Sequence, residues 1–119
     1  MEVTLLYFLA AIFGISILEA QNYFSHYGLK RKQKEDGTYE RVKVEHSWNS
    51  DHVIGRVFLF ELTRHSDHHF SGAKHYQILR SKDESPMLPY GYPAMLILSY
   101  FPFLFKPIME KQLTKYGMS

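Results

Sequence analysis

An uninterrupted apolar run near the start of the chain constrains its fold more than any other feature. Residues 3–18 carry no charge, and Glu2 and Glu19 lie on either side of them. As an α-helix, residues 3–20 would be about 27 Å long, close to the thickness of membrane hydrocarbon. The run lacks the preceding basic residues and the following cleavage site of a signal peptide. The sequence therefore predicts a transmembrane helix over residues 3–20, with a buried core helix as the alternative.

Basic residues follow this helix and predict its orientation. Loops rich in Lys and Arg stay on the cytoplasmic side of a membrane. The basic residues after this helix are Lys30, Arg31, Lys32, Lys34, Arg41 and Lys43. The N-terminus is therefore expected outside the cytoplasm. Residues 21–119, which include the C-terminus, are expected at the cytoplasmic face of the membrane. The net charge of +2 is too small to predict nucleic-acid binding.

The composition limits the kinds of site that the chain can form. Aromatic residues make up 16% of its 119 residues, which suits a membrane interface. It has no cysteine, which excludes disulfides, thiolate zinc sites and iron–sulfur clusters. Any bound metal must therefore use nitrogen and oxygen ligands.

A histidine cluster in the segment RHSDHH, residues 64–69, predicts such a metal site. At helical spacing His65, His68 and His69 fall at i, i+3 and i+4 and leave one face of one helix. Neutral imidazole is the commonest protein metal ligand, and iron or zinc accepts several. Protonated imidazoles would repel each other on that face, and a metal holds them deprotonated. A solvated polar helix end is the alternative.

A polar stripe is predicted where the first helix leaves the membrane. The helix is expected to continue to about His26 and to stop at Gly28. On that extension Glu19, Asn22 and His26 fall at i, i+3 and i+7. Polar groups at membrane depth usually face a protein interior or a site.

The remaining elements predict a mainly α fold with one short β-hairpin. The Asp36-Gly37 turn signal and the alternation over residues 39–44 indicate that hairpin, with a structural role. A helix is expected from about Asp51 to the histidine cluster, capped by polar residues of the segment 47–50 and buried in a bundle or against lipid. Residues 80–93 indicate a loop. Residues 94–105 indicate a helix that is broken by Pro102 and packs on the membrane surface.

Several motifs occur along the chain in a fixed order. They are NYFSHYGL at 22–29, HSWNS at 46–50, LTRHSDHH at 62–69, YQILR at 76–80 and LPYGY at 88–92, followed by Met95. With them the sequence closely resembles the C-terminal third of bacterial integral-membrane alkane 1-monooxygenases, the non-haem di-iron hydroxylases related to membrane fatty-acid desaturases. Desaturases share the HxxHH pattern but not the HYGL and HSWNS segments, so the resemblance is specific. It covers essentially the whole chain, 1–119, and implies a fragment of a protein that is multi-pass in the bacterial inner membrane.

The resemblance implies a set of metal ligands, and no catalytic residues beyond them. The implied iron ligands are His26, His65, His68 and His69. Arg64 and Asp67 are expected to orient ligand imidazoles through their far nitrogens, and Asn22 and Glu19 are expected to support the same site. His46 is predicted to be a structural hydrogen-bonding residue, and His52 and His75 to be surface groups.

Two departures from the family pattern affect this site. The family usually has Glu just before the HYGL histidine, where this chain has Ser25. Serine brings no negative charge to the irons. A carboxylate role at this point is therefore absent or has moved to another residue, for which Glu19 is the candidate. Family members also have two further histidine boxes and several more membrane helices upstream. The four implied ligands are therefore only part of a di-iron site, and the isolated chain is expected to be inactive.

The implied reaction is the O2-dependent terminal hydroxylation of medium-to-long n-alkanes to primary alcohols, on two non-haem iron ions. Electrons would come from rubredoxin and its reductase. A terminal C–H bond offers no acid, leaving group or polar handle, so the reaction needs oxygen activated on a metal. One alternative is a related di-iron hydroxylase of aryl-methyl or acyl-chain substrates. Another is a non-catalytic, small metal-binding membrane protein.

Overall fold

The computed structural model describes residues 1–118, which form α-helices joined by loops and short 3-10 turns. The helices are α1 (Glu2–His26), α2 (Val53–Phe58), α3 (His65–Phe70), α4 (Tyr92–Ser99) and α5 (Pro102–Lys115). The 3-10 turns cover Val44–His46 and Tyr76–Ile78. The mainly α fold that the sequence predicts is present.

Helix α1 contains the predicted apolar helix and its predicted extension. Among residues 1–118 it is the one helix long and apolar enough to cross a membrane, and its apolar stretch is exposed. It ends at His26, as predicted, and Gly28 follows with a φ of 73° in the left-handed region that favours glycine. A Cβ at position 28 would collide with the Leu113 side chain of α5. The close approach fixes the end of α1 against α5.

The apolar core lies at this end of α1. The Phe24 and Tyr92 rings pack edge to face with their centroids 5.0 Å apart. The Trp48 indole N–H donates to the Tyr27 carbonyl at 2.8 Å, which ties the segment after the Val44–His46 turn to the end of α1. The buried cluster contains Phe24, Trp48, Leu88, Tyr92, Met95, Phe105, Met109 and Leu113.

The predicted β-hairpin is wrong. Its turn is present, because the Thr38 N–H donates to the Asp36 carboxylate at 2.9 Å and Gly37 has a φ of 81°. Gln33 and Tyr39 form an isolated antiparallel bridge, but no strand forms within residues 1–118. The two arms are exposed, and a two-stranded ribbon with no apolar face to bury is too weak to extend.

The predicted helix from Asp51 to the histidine cluster is interrupted. Helix α2 ends at Phe58, and Phe60 and Glu61 adopt φ values of 49° and 61°. Arg56 donates to both carboxylate oxygens of Glu61 at 2.8 Å, and this ion pair closes the turn between α2 and α3. Of the two settings expected for this helix, a bundle or lipid, a covering bundle is not formed by residues 1–118. Its exposed apolar side chains are Val53, Ile54, Val57, Phe58 and Phe60.

The prolines divide the C-terminal part nearly as predicted. Residues 80–91 contain no helix, and α4 begins at Tyr92 with Pro93 in its first turn, where proline is tolerated. Helix α4 ends at Ser99 and α5 begins at Pro102, so the predicted break is confirmed. The loop is held against the HSWNS segment by a parallel bridge between Asn49 and Met87.

Candidate metal centre

Three imidazoles from two separate helices converge on one point. His26 is the last residue of α1, and His65 and His69 lie one turn apart on α3. The Nε2 atom of His65 lies 2.9 Å from Nε2 of His69 and 3.3 Å from Nε2 of His26. Two nitrogens bound to one metal ion at about 2.1 Å are themselves about 3.0 to 3.5 Å apart. The donor set therefore fits one shared metal ion.

His68 lies beside this group but outside it. Its ring centroid is 5.6 Å from that of His69 and 6.2 Å from that of His65, and the ring is half-buried. One ligand nitrogen from each of His26, His65 and His69 lies within 4.8 Å of the other two. The four predicted ligands thus divide into three convergent imidazoles and one neighbour.

The tautomer of His26 follows from its hydrogen bond. Its Nδ1 lies 2.9 Å from the backbone carbonyl oxygen of His46. A carbonyl only accepts, so Nδ1 carries the proton, and the neutral ring has its lone pair on Nε2. That is the atom that faces His65. The ring is therefore in the form that can bind a metal through Nε2.

Burial and crowding keep the imidazoles of His65 and His69 uncharged. Burial lowers the pKa of His65 to about 3, and repulsion from His69, His26 and His68 acts in the same direction. The pKa of His69 is also lowered, by partial desolvation and then by His26 and His68. Both rings are neutral at pH 7, which is the state in which imidazole binds metal.

Arg64 directs its hydrogen bonds away from the imidazoles that it was expected to orient. Its Nη1 donates to the Leu79 carbonyl at 2.6 Å. Its Nε lies 3.4 Å from carboxylate oxygens of both Asp51 and Glu61. Arg64 therefore joins the start of α3 to the segments on either side of it.

Asp67 forms an anchor for the loop after α3. Its carboxylate is 1% exposed and accepts from Lys74 Nζ at 2.7 Å and from the Arg80 backbone N–H at 2.9 Å. Lys82 Nζ lies 3.7 Å from the other oxygen. Burial raises the pKa of Asp67, but Lys74, the Arg80 N–H and Lys82 outweigh it and lower the pKa overall. Its contacts run to this loop rather than to an imidazole.

The polar residues of α1 near the site differ in burial. Glu19 and Asn22 are exposed. Ser25 is fully buried in the core, with its hydroxyl 3.3 Å from the Tyr92 hydroxyl. Position 25 therefore faces the packed side of α1, and the serine there contacts Tyr92 rather than the imidazoles.

Asn49 supports α3 in a way that the sequence did not predict. Polar residues of the segment 47–50 were expected to cap the next helix, but α2 has no side-chain cap within the described residues. Instead, Asn49 Oδ1 accepts from the Ser66 N–H in the first turn of α3 at 3.0 Å. The His46 ring accepts a hydrogen bond from the Lys43 N–H, in line with the structural role predicted for it, and His52 and His75 are exposed as predicted.

Comparisons with known proteins identify the family of this chain. Residues 1–99 match the family described as Fatty acid desaturase. Over 106 residues the chain is 44% identical to Alkane 1-monooxygenase 2 of Pseudomonas aeruginosa and 45% identical to the Alkane 1-monooxygenase of Acinetobacter baylyi, covering 89% of this chain in both cases. It is 31% identical over 102 residues, 86% of this chain, to the hydroxylase component of a Pseudomonas putida xylene/toluene monooxygenase. The chain spans 28%, 26% and 26% of the length of these relatives, respectively.

Proposed function

Because the chain belongs to the fatty acid desaturase family, we propose that it is the C-terminal, metal-binding part of an alkane 1-monooxygenase. The observation that carries this proposal is the convergence of His26, His65 and His69 on one point. The identity of 44–45% to alkane 1-monooxygenases, against 31% to the xylene/toluene relative, favours n-alkanes over aryl-methyl substrates. The proposed reaction is terminal hydroxylation of medium-to-long alkanes.

The proposed metal is iron, as two non-haem ions in the complete enzyme. His26, His65 and His69 would bind one ion through their Nε2 atoms, since these atoms have suitable spacing and the rings of His65 and His69 are neutral. His68, beside them on α3, would bind the second. Bound iron supplies the oxygen activation that an unactivated C–H bond requires.

The remaining polar residues of this region would hold the ligands in position. Asn49 keeps the start of α3 in place, and Asp67 keeps the following loop against it. Glu19 and Asn22 precede His26 on α1, and residues 1–118 leave both of them exposed. They would contact ligands or substrate in the complete enzyme.

The proposed setting is the bacterial inner membrane, with residues 3–20 spanning it and residues 21–119 at the cytoplasmic face. His26 ends the apolar helix α1, so the imidazoles lie near its polar end. An alkane dissolved in lipid would then reach the site from the membrane, together with O2. Rubredoxin, reduced by its reductase, would deliver electrons from the cytoplasm.

A hybrid enzyme tests this function. The matching segment of Alkane 1-monooxygenase 2 of Pseudomonas aeruginosa would be replaced by this chain and assayed with rubredoxin, its reductase and NADH. We expect 1-octanol from octane, and no product from the His65→Ala hybrid. The matched control is His75→Ala, an exposed histidine, which should stay active. Hydroxylation of p-xylene but not octane would favour the aryl-methyl alternative, and iron binding without turnover of either would favour the non-catalytic one.

A further inference from the structure

The turn that ends at His46 is closed by its own side chain. The His46 N–H donates to the Lys43 carbonyl at 3.1 Å. In return, the Lys43 N–H donates to Nδ1 of the His46 ring at 2.9 Å. These two bonds join residues 43 and 46 reciprocally and define what we call the Lys43–His46 turn. The ring is 6% exposed, so water cannot readily replace it.

The outer nitrogen of the same ring faces a carboxylate. Because Nδ1 accepts the Lys43 N–H, the neutral ring of His46 carries its proton on Nε2. That Nε2 lies 3.4 Å from Glu40 Oε1, which also accepts the Lys32 N–H at 3.0 Å. Glu40 Oε2 in turn contacts Lys43 Nζ at 2.7 Å. The ring of His46 therefore has a partner on each side.

The carbonyl at the end of this turn accepts the Nδ1 proton of His26. We propose that His46 is a positioning residue for the metal centre. Its ring closes the Lys43–His46 turn, and its backbone carbonyl holds His26 in the tautomer with a free Nε2 lone pair. His46 acts through His26, while its own Nε2 lies near the carboxylates of Glu40 and Glu45. The role of His46 in metal binding rests on the proposed metal centre. Its effect on the tautomer of His26 does not.

A competing contact explains why a carbonyl is needed. The Ser47 hydroxyl lies 3.4 Å from the same Nδ1 of His26. A hydroxyl can donate as well as accept, so on its own it would also stabilise the tautomer with the proton on Nε2. That tautomer turns an N–H toward His65 and cannot bind a metal through Nε2. The carbonyl, which only accepts, removes this ambiguity.

The tautomer of His26 can be measured without any metal. In the detergent-solubilised full chain with 15N-labelled imidazoles, nitrogen chemical shifts distinguish Nδ1–H from Nε2–H rings. A His26→Gln variant assigns the signal. In the wild type we expect His26 as Nδ1–H, with that proton protected from exchange with water. A His26 ring found as Nε2–H, or with an unprotected Nδ1 proton, would overturn the proposal before any substitution at position 46 is made.

Substitutions at His46 then separate its role from simple packing. His46→Ala removes the acceptor for the Lys43 N–H, so the His26 ring should shift toward Nε2–H. His46→Asn should restore the wild-type signal, because its Oδ1 can accept the Lys43 N–H in place of Nδ1. The matched control is His75→Ala, which removes an exposed histidine. An unchanged His26 signal in His46→Ala would contradict the proposal, as would a His46→Asn signal like that of His46→Ala.

Metal affinity provides a second readout, with Co2+ as the probe. Loss of a group that orients a ligand typically lowers affinity about 10- to 100-fold, and we expect such a loss in His46→Ala but not in His46→Asn. Equal affinity of wild type and His46→Ala would overturn the role in the metal centre. If the wild-type chain binds no Co2+, the proposed metal centre fails and the role of His46 fails with it. The tautomer measurement is made on metal-free protein, so even then it reports separately whether His46 sets the tautomer of His26.

Discussion

The carboxylate of Asp67 and the backbone N–H of Arg80 are hydrogen-bonded at 2.9 Å, across the loop that follows α3. Asp67 lies between His65 and His68 in the sequence, so the same short helix carries the imidazoles and anchors this loop. Lys74 and Lys82 surround the carboxylate with positive charge. Order in the loop and order in the candidate ligands are therefore linked through one buried side chain.

The first prediction concerns this anchor. Asp67→Asn keeps the shape of the side chain but removes the charge that holds Lys74, so the free energy of unfolding should fall by about 1 to 3 kcal/mol. Urea denaturation of the detergent-solubilised chain, followed by its helical signal, measures the change. The control is Asp83→Asn, an exposed aspartate in the following loop. If both variants unfold at the same urea concentration, Asp67 does not anchor the loop.

The second prediction distinguishes the three convergent imidazoles from His68. In this chain, replacement of His26, His65 or His69 by Ala should lower Co2+ affinity on the order of 100-fold or more, because each removes a ligand. His68→Ala should lower it less than about tenfold, since His68 lies outside the group. In the hybrid enzyme, however, His68→Ala should abolish octane hydroxylation. Equal loss of Co2+ affinity for all four variants would place His68 at the first metal ion.

The third prediction follows from the low pKa of His65. The unfolded chain takes up a proton at this residue near pH 6.5, whereas the folded chain does so only near pH 3. The unfolded state therefore binds more protons between these values, and metal-free protein should lose stability as pH falls through that window. The loss from this group should approach about 1.4 kcal/mol per pH unit.

His65→Gln isolates this contribution from the carboxylates, which also titrate in acid. As the pH is lowered from 7 to 4, the unfolding free energy of the wild type should fall more than that of His65→Gln. A difference that stays constant over that range would show that His65 has the same pKa in both states. Because His65 in the folded chain is already neutral above about pH 3, Co2+ binding should release no proton from this residue over the same range.

The fourth prediction concerns the end of α1. Gly28→Ala should be strongly destabilising, because it puts a Cβ at a φ of 73° and against Leu113. Gly37→Ala is the matched control, since Gly37 has a φ of 81° but no atom within 4 Å of the position that a Cβ would take. The thermal midpoints of the two variants separate backbone strain from the collision. Equal midpoints would show that α5 yields at Leu113 without cost.

Local signals predicted the helix ends better than they predicted tertiary contacts. The stop at Gly28 and the break before Pro102 follow from residues that act on their own backbone. The predicted hairpin failed because its arms have nothing to pack on, which no turn signal reveals. The predicted continuous helix failed because the Arg56–Glu61 ion pair and two positive φ values interrupt an unbroken apolar pattern.

The candidate site was predictable only in part from the residues themselves. Spacing within the segment 64–69 was enough to place three imidazoles on one face of α3. No periodicity could join His26 to His65, because they are far apart in the sequence, and that pairing came from the family resemblance. The partners of Asp67 were likewise hidden, since Lys74 and the Arg80 N–H reach it only through the fold.

The exposed apolar side chains of α2 have a consequence for biogenesis. A contiguous apolar surface left in water recruits chaperones and other copies of the same chain. In the membrane setting proposed above, α1 spans the bilayer, and α2 would then be synthesised at the bilayer surface. Insertion of α1 would then protect α2 from aggregation, because the bilayer surface could cover exposed side chains such as Val57 and Phe58.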